Sequence, residues 1–152
     1  MLDIPDRSSL LQQLQATLDA MPPVAAMGIR IAACDHESLC LQAPLGVNVN
    51  DKGNAFGGSL ASVMTLAGWA LVSMRLSASG RDAEVYVADS SIRYRSPVYA
   101  DLVATARAAP DQDWAAFLAL FDKRGRARLT VHARVDGGAA ELEGRFVALA
   151  RG

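Results

Sequence analysis

The segment from Phe56 to about Ser79 constrains the fold more than any other. It is apolar at nearly every position, its length suits a helix rather than a strand, and Gly80 follows as a C-terminal stop. A helix apolar on nearly every side has no face for water, so other structure must wrap it. Gly58, Ser59, Ala61, Ser62, Ala67 and Gly68 leave its backbone open to close approach by a sheet. Ser62, Thr65, Ser73 and Arg75 break the run Leu60 to Leu76, which is too short and mixed for a membrane-spanning helix. No membrane partner is expected.

What could do the wrapping lies on both sides. Residues 27–33 and 38–43 form two apolar runs about the turn-like Cys34-Asp35-His36-Glu37, which predicts a hairpin. After the helix come five strand-like runs, 83–94, 102–109, 114–122, 127–136 and 141–150. They are separated by Ser96-Pro97, Pro110-Asp111-Gln112-Asp113, Asp122-Lys123-Arg124-Gly125 and Asp136-Gly137-Gly138, and such short turns favour antiparallel pairing. Leu10, Leu11, Leu14 and Leu18 recur at helical spacing behind a cap at Ser8 or Ser9, and Pro22-Pro23 stops that helix. The prediction is an α+β domain: a curved antiparallel sheet around a long central helix, with an N-terminal helix over 1–21 and the core over 22–152. The 152 residues suit one such domain.

The formal net charge of −1, from 15 basic and 16 acidic side chains, gives none of the positive excess that phosphate-backbone binding needs, so nucleic acid is not an expected partner. Cys34 and Cys40 lack a second pair for a zinc site and read as buried reduced thiols. No metal and no redox cofactor is expected. Residues 1–6 lack the pattern of a secretory signal, which predicts a cytoplasmic protein.

Between the hairpin and the central helix runs a loop, Gly46 to Asn54, rich in residues that tolerate turns. Its junction with the helix, Asn50-Asp51-Lys52-Gly53-Asn54-Ala55-Phe56-Gly57-Gly58-Ser59, resembles the Asn-x-x-Gly-x-x-His-Gly-Gly signature of hotdog acyl-CoA thioesterases, with Phe56 in place of the histidine. A second segment, Ala88-Asp89-Ser90-Ser91-Ile92-Arg93-Tyr94-Arg95-Ser96-Pro97-Val98, is similar to the strand after the central helix in those families. Together with Thr65-Leu66-Ala67-Gly68-Trp69, the two segments most resemble the thioesterase-like domain at the C-terminus of certain bacterial two-domain acetyltransferases. The resemblance runs over 22–149; 152 residues leave no room for an acetyltransferase half, and that activity is not expected. It implies the hotdog fold, a homodimer with sites at its interface, further pairing of dimers as an option, and acyl-CoA or acyl-carrier-protein thioesters as substrates.

Thioester hydrolysis needs donors for a developing oxyanion, a carboxylate to activate water, and an apolar channel. Gly57 and Gly58, at a helix start, offer unsatisfied N–H groups without side chains, though two glycines also serve close helix packing. Asn50 is a candidate contact to the carbonyl or the water, or a turn former. In the resembling thioesterases the carboxylate commonly lies on the central helix, and its position here is Thr65. No Asp or Glu lies between Phe56 and Gly80. Asp89 and Asp51 are the candidate replacements, Asp89 preferred, because a carboxylate among strand-forming residues must be exposed, paired or functional. Asn54, Phe56, Ser59, Thr65, Ser90, Ser91 and Arg93 are candidate substrate contacts. Leu60, Met64 and Trp69 join Phe56 as candidates for an acyl pocket, and Arg93 with Arg95 could meet CoA phosphates. His36 and His132 stand in no recognisable triad, and the junction lacks the His and acid pair that a hydratase would need. A non-catalytic thioester-binding module is the alternative reading.

Overall fold

The structure is a computed structural model that describes residues 6–152. Helix α1 (Arg7–Ala20) and the short α2 (Pro22–Met27) lead into β1 (Arg30–Cys34) and β2 (Ser38–Ala43). The central helix α3 (Gly57–Ala78) is followed by β3 (Ala83–Tyr94), β4 (Leu102–Ala108), α4 (Trp114–Arg124), β5 (Arg126–Val135) and β6 (Ala140–Ala150). The six strands form one antiparallel sheet in the order β1-β2-β4-β5-β6-β3, and it curls around α3 as the hotdog fold requires.

α3 earns its central place through the residues predicted to put it there. Val63, Met64, Ala67, Ala70 and Val72 are fully buried, and they meet Leu39, Leu41, Leu102, Leu129, Val131 and Phe146 from the concave face. Length and apolarity alone would let α3 cross a bilayer, but most of it is covered by sheet. Gly68 sets the spacing: a Cβ there would lie 2.6 Å from Phe146 Cζ.

At the N-terminal end the capping differs from expectation. Asp6, not Ser8 or Ser9, caps α1, its Oδ1 accepting from Ser9 N at 2.8 Å, and Leu10, Leu14 and Leu18 are buried as predicted. Pro22-Pro23 ends α1 and also opens α2, where a missing N–H costs nothing; Met27 therefore belongs to a helix rather than to β1. The hairpin turn is held by Asp35, whose Oδ1 accepts from the backbone N–H groups of Glu37 and Ser38 and from the Ser38 hydroxyl. Cys34 and Cys40 are free and half-buried rather than buried, and they face Leu39 and Ala33 across the ladder, not each other.

One predicted strand is a helix. Trp114, Phe117, Leu118 and Phe121 recur at the helical i, i+3, i+4, i+7 spacing, Asp113 caps the start through Ala115 N at 2.9 Å, and Gly125 at φ 69° closes the end. A strand was expected here, but the spacing and the caps govern. The Arg81–Asp122 ion pair and the Arg75 guanidinium over the Trp114 ring, 4.8 Å from its centroid, tie α4 to the end of α3. The remaining strands keep the predicted bounds to within a residue or so.

Candidate active site at the loop to helix junction

The loop before α3 is folded by its own asparagines. Asn50 accepts from Lys52 N and Asn54 N through Oδ1 and donates through Nδ2 to Asn54 Oδ1 at 2.9 Å. It therefore folds the turn, with Asn54 as its partner. Asp51, at the exposed tip, pairs with its neighbour Lys52. A bridge between Val49 and Ala55, with Phe56 N donating to Asn48 O at 2.7 Å and Ala55 N to Val98 O at 2.8 Å, fixes the approach to the helix.

Asn48 is the deeper anchor, which the sequence did not single out. It is 2% exposed, and its Nδ2 donates to Met27 O at 2.9 Å and Pro44 O at 2.8 Å, so one amide joins α2, the end of β2 and the loop. Its Oδ1 has no partner among the described residues. Nothing in its sequence context distinguishes it from Asn50 or Asn54, because only the fold decides which one points inward.

α3 opens without a side-chain cap. Phe56 occupies the cap position in extended conformation, and the first N–H to find an acceptor is that of Leu60, bonded to Phe56 O at 3.0 Å. The N–H groups of Gly57, Gly58 and Ser59 have no acceptor among the described residues. Uncapped donors at the positive end of a long helix are a ready anion site. Two rings flank them. The Phe56 side chain is exposed and lies over Gly58, and the Tyr94 hydroxyl donates to Gly57 O at 3.4 Å.

One turn further along α3 lies an apolar groove of about 300 Å³, lined by Ala61, Ser62, Thr65 and Leu66 and, across from them, by Pro23, Val24 and Met27 of α2. Gly58, Ser62 and Thr65 are one turn apart and share that helix face. The Thr65 hydroxyl donates to Ala61 O at 2.8 Å. Leu60 and Met64 are core residues, and Trp69 borders a larger depression, about 510 Å³ between α1 and the start of β3, at the far end of α3 from the glycine pair.

The β3 candidates fall elsewhere. Asp89, Ser91 and Arg93 stand opposite Arg145, Glu143 and Glu141 of β6, on the outer face of the sheet, turned away from α3; Ser90, opposite Gly144, faces inward. Asp89 is exposed and accepts from both Nε and Nη2 of Arg145, which hold its carboxyl below the usual carboxylate range. Within one chain it lies five residues back from Tyr94, roughly 17 Å along the strand. The junction thus gathers Asn50, Asp51, Asn54, Phe56, Gly57, Gly58 and Ser59, with Thr65 in the adjoining groove, but not Asp89, Ser91 or Arg93 of the same chain. His132 pairs with Glu143 on the outer face, and no cluster suited to a metal occurs among the described residues.

Comparison with known proteins agrees with this architecture. A protein of unknown function from Chlorobaculum tepidum superposes with a TM-score of 0.89 at 26% identity, over 95% of this chain and 97% of that one. A "putative thioesterase" from Shewanella oneidensis gives 0.82 at 27% identity, over 93% and 99%. A Pseudomonas aeruginosa thioesterase, at 18% identity and a TM-score of 0.68 over 98% of this chain and 97% of that one, shares the fold. Residues 11–150 match the family described as "Putative thioesterase (yiiD_Cterm)", and with that match over nearly its whole length the chain belongs to this thioesterase family of the hotdog fold.

Proposed function

We propose that the protein hydrolyses acyl thioesters at the N-terminus of α3. The observation that carries this is the set of three N–H donors, on Gly57, Gly58 and Ser59, that no group among the described residues satisfies. A thioester carbonyl oxygen gains negative charge as water adds, and donors already fixed at that point stabilise the addition without rearranging. The acyl chain would lie in the groove over Ser62 and Thr65, where apolar walls suit a hydrocarbon. Asp51 is the better base of the two candidates. It sits on the loop that leads into the donors, and its exposed ion pair with Lys52 costs little to open. Asp89 would have to act from a second subunit, and its bond to Arg145 lowers its basicity.

A homodimer is part of this reading. β3 is an unpaired edge strand of 12 residues, carrying the exposed side chains of Tyr86, Val87 and Tyr94, and such an edge invites a second strand. The test is thiol release from acyl-CoA and acyl-carrier-protein substrates by the wild type and by Asp51→Asn and Asp89→Asn, with the mass in solution measured alongside. Loss of turnover in Asp51→Asn alone supports the assignment; loss in Asp89→Asn alone moves the base to β3.

The second reading, a thioester-binding module without turnover, draws on Thr65. Its hydroxyl donates to Ala61 O, and no Asp or Glu lines the groove beside it. Saturable binding of acyl-CoA with no thiol release would establish that reading instead.

A further inference from the structure

The outer face of the sheet carries arginine in excess of what its own carboxylates can match. Asp89 is held by Arg145, Glu141 by Arg95 and Arg134, Glu143 by His132, and Glu84 by Tyr86 and Arg151. Arg30, Arg93, Arg126 and Arg128 remain, all exposed and with no anionic partner within bonding distance among the described residues. They share that face: Arg126 and Arg128 alternate with the buried Ala127 and Leu129, and Arg93 lies level with Arg134 through Glu141. From Arg126 to the level of Arg134 and Arg93 is eight strand residues, roughly 26 Å. In a chain of net charge −1, this face thus carries a surplus of positive charge beyond its own ion pairs.

We propose that the outer sheet face docks an acidic protein surface, and that the thioester is therefore delivered by an acidic carrier protein. This rests on the hydrolase reading for what happens to the acyl group, but not for the docking itself. The phosphates of CoA would call for one compact cluster, whereas the unmatched arginines stand at both ends of the face. A second copy of the chain would bring like charge against like. The route to the donors is short: Tyr94 reaches Gly57 on the inner side of β3, while its neighbours Arg93 and Arg95 belong to the outer side. A partner seated on the arginines can pass a flexible thioester arm around that strand end.

The experiment compares one acyl group on acyl carrier protein and on CoA, using the wild type and the full-length double variant R126E/R128E. Neither arginine bonds to another described side chain, so the fold should survive, which circular dichroism checks. Expected for the variant are a rise of about tenfold or more in KM for the carrier-borne substrate, an unchanged kcat, and a KM for acyl-CoA within about twofold of wild type. Wild-type KM for the carrier substrate should also climb steeply between ~50 and ~300 mM salt. An unchanged KM for the carrier substrate, or an equal rise for acyl-CoA, overturns the proposal. If neither substrate turns over, the hydrolase reading fails, and binding of an amide-linked acyl carrier protein decides the docking: affinity lost in R126E/R128E upholds it, affinity absent or unaltered overturns it.

Discussion

Gly58 and Gly68 stand on the same helix, and each has an aromatic ring where a Cβ would go. An ideal Cβ at Gly58 would lie 2.4 Å from Phe56 Cε2, and one at Gly68 2.6 Å from Phe146 Cζ and 2.7 Å from Phe146 Cε2. By distance alone the two alanine variants should behave alike. Burial separates them: Phe56 is 55% exposed and Phe146 is 0% exposed. The Phe56 ring can swing into water, whereas Phe146 is also pressed against Gly144, where a Cβ would meet its Cε2 at 3.1 Å. Alanine gains helix propensity over glycine, roughly 1 kcal/mol in a helix interior. At Gly68 an overpacking cost of ~1–3 kcal/mol opposes it.

Gly58→Ala should therefore leave stability level or slightly raised, and Gly68→Ala should fall below it by about 1–2 kcal/mol. At about 2–4 °C per kcal/mol for a chain of this size, thermal and urea unfolding at matched protein concentration resolve that difference. Adding Phe146→Leu to Gly68→Ala should recover part of the loss, as a coupling of at least ~0.5 kcal/mol in a double-mutant cycle. Equal melting of the two alanine variants, or strict additivity in the cycle, would refute the claim that Phe146 sets the spacing between α3 and the sheet. Activity should show the reverse order. A methyl among the free N–H groups, with Phe56 displaced, should cut kcat/KM in Gly58→Ala by tenfold or more, on the scale of ~10²–10³ for loss of an oxyanion donor.

Asn48→Asp places a carboxylate against two carbonyl oxygens and should destabilise more than Asn48→Ala, which removes two buried hydrogen bonds at ~1–3 kcal/mol; urea midpoints rank the two. Thr65→Asp returns an acid to the groove, and since a positioned base contributes ~10²–10⁴-fold, thiol release should rise at least about tenfold, an unchanged rate meaning that Thr65 does not face bound substrate. Asp35 has its carboxyl held below the usual range, first by the N–H of Glu37 and then by Ser38. Because the folded value is depressed, Asp35→Ala should cost stability above the ordinary carboxylate range. That difference should fade as pH falls through the lowered value, which melting temperatures across a pH series will follow.

Period and punctuation made most of the fold legible. The all-round apolar segment 56–79 had to be a wrapped helix, and β3, β4, β5 and β6 start and stop at turn residues that any reading would mark. The segment 114–122, expected as a strand, carries Trp114, Phe117, Leu118 and Phe121 at helical spacing, and Asp113 and Gly125 bracket it as helix caps do. Strand order was beyond a sequence-only reading. Consecutive β3 and β4 are not neighbours, since β3 lies at the far edge beside β6 while β4 joins β2, and nothing local to either strand encodes that.

The candidate junction was legible for a different reason. Its donors are backbone groups, so a glycine pair at a helix start suffices to mark them, and no side-chain orientation has to be known. Side-chain chemistry lacks that protection. Asp89 looked exceptional among strand formers, but the bulge between Val87 and Asp89 and the pairing with Arg145 put it on the outer face, where an ion pair satisfies it. Asn50 and Asn48 are two residues apart in one loop, and one folds the turn while the other is buried as its anchor. A carboxylate or an amide acquires a role only when the sheet register fixes which way it points. This is why the place where a thioester carbonyl would bind can be read from this chain before its base can.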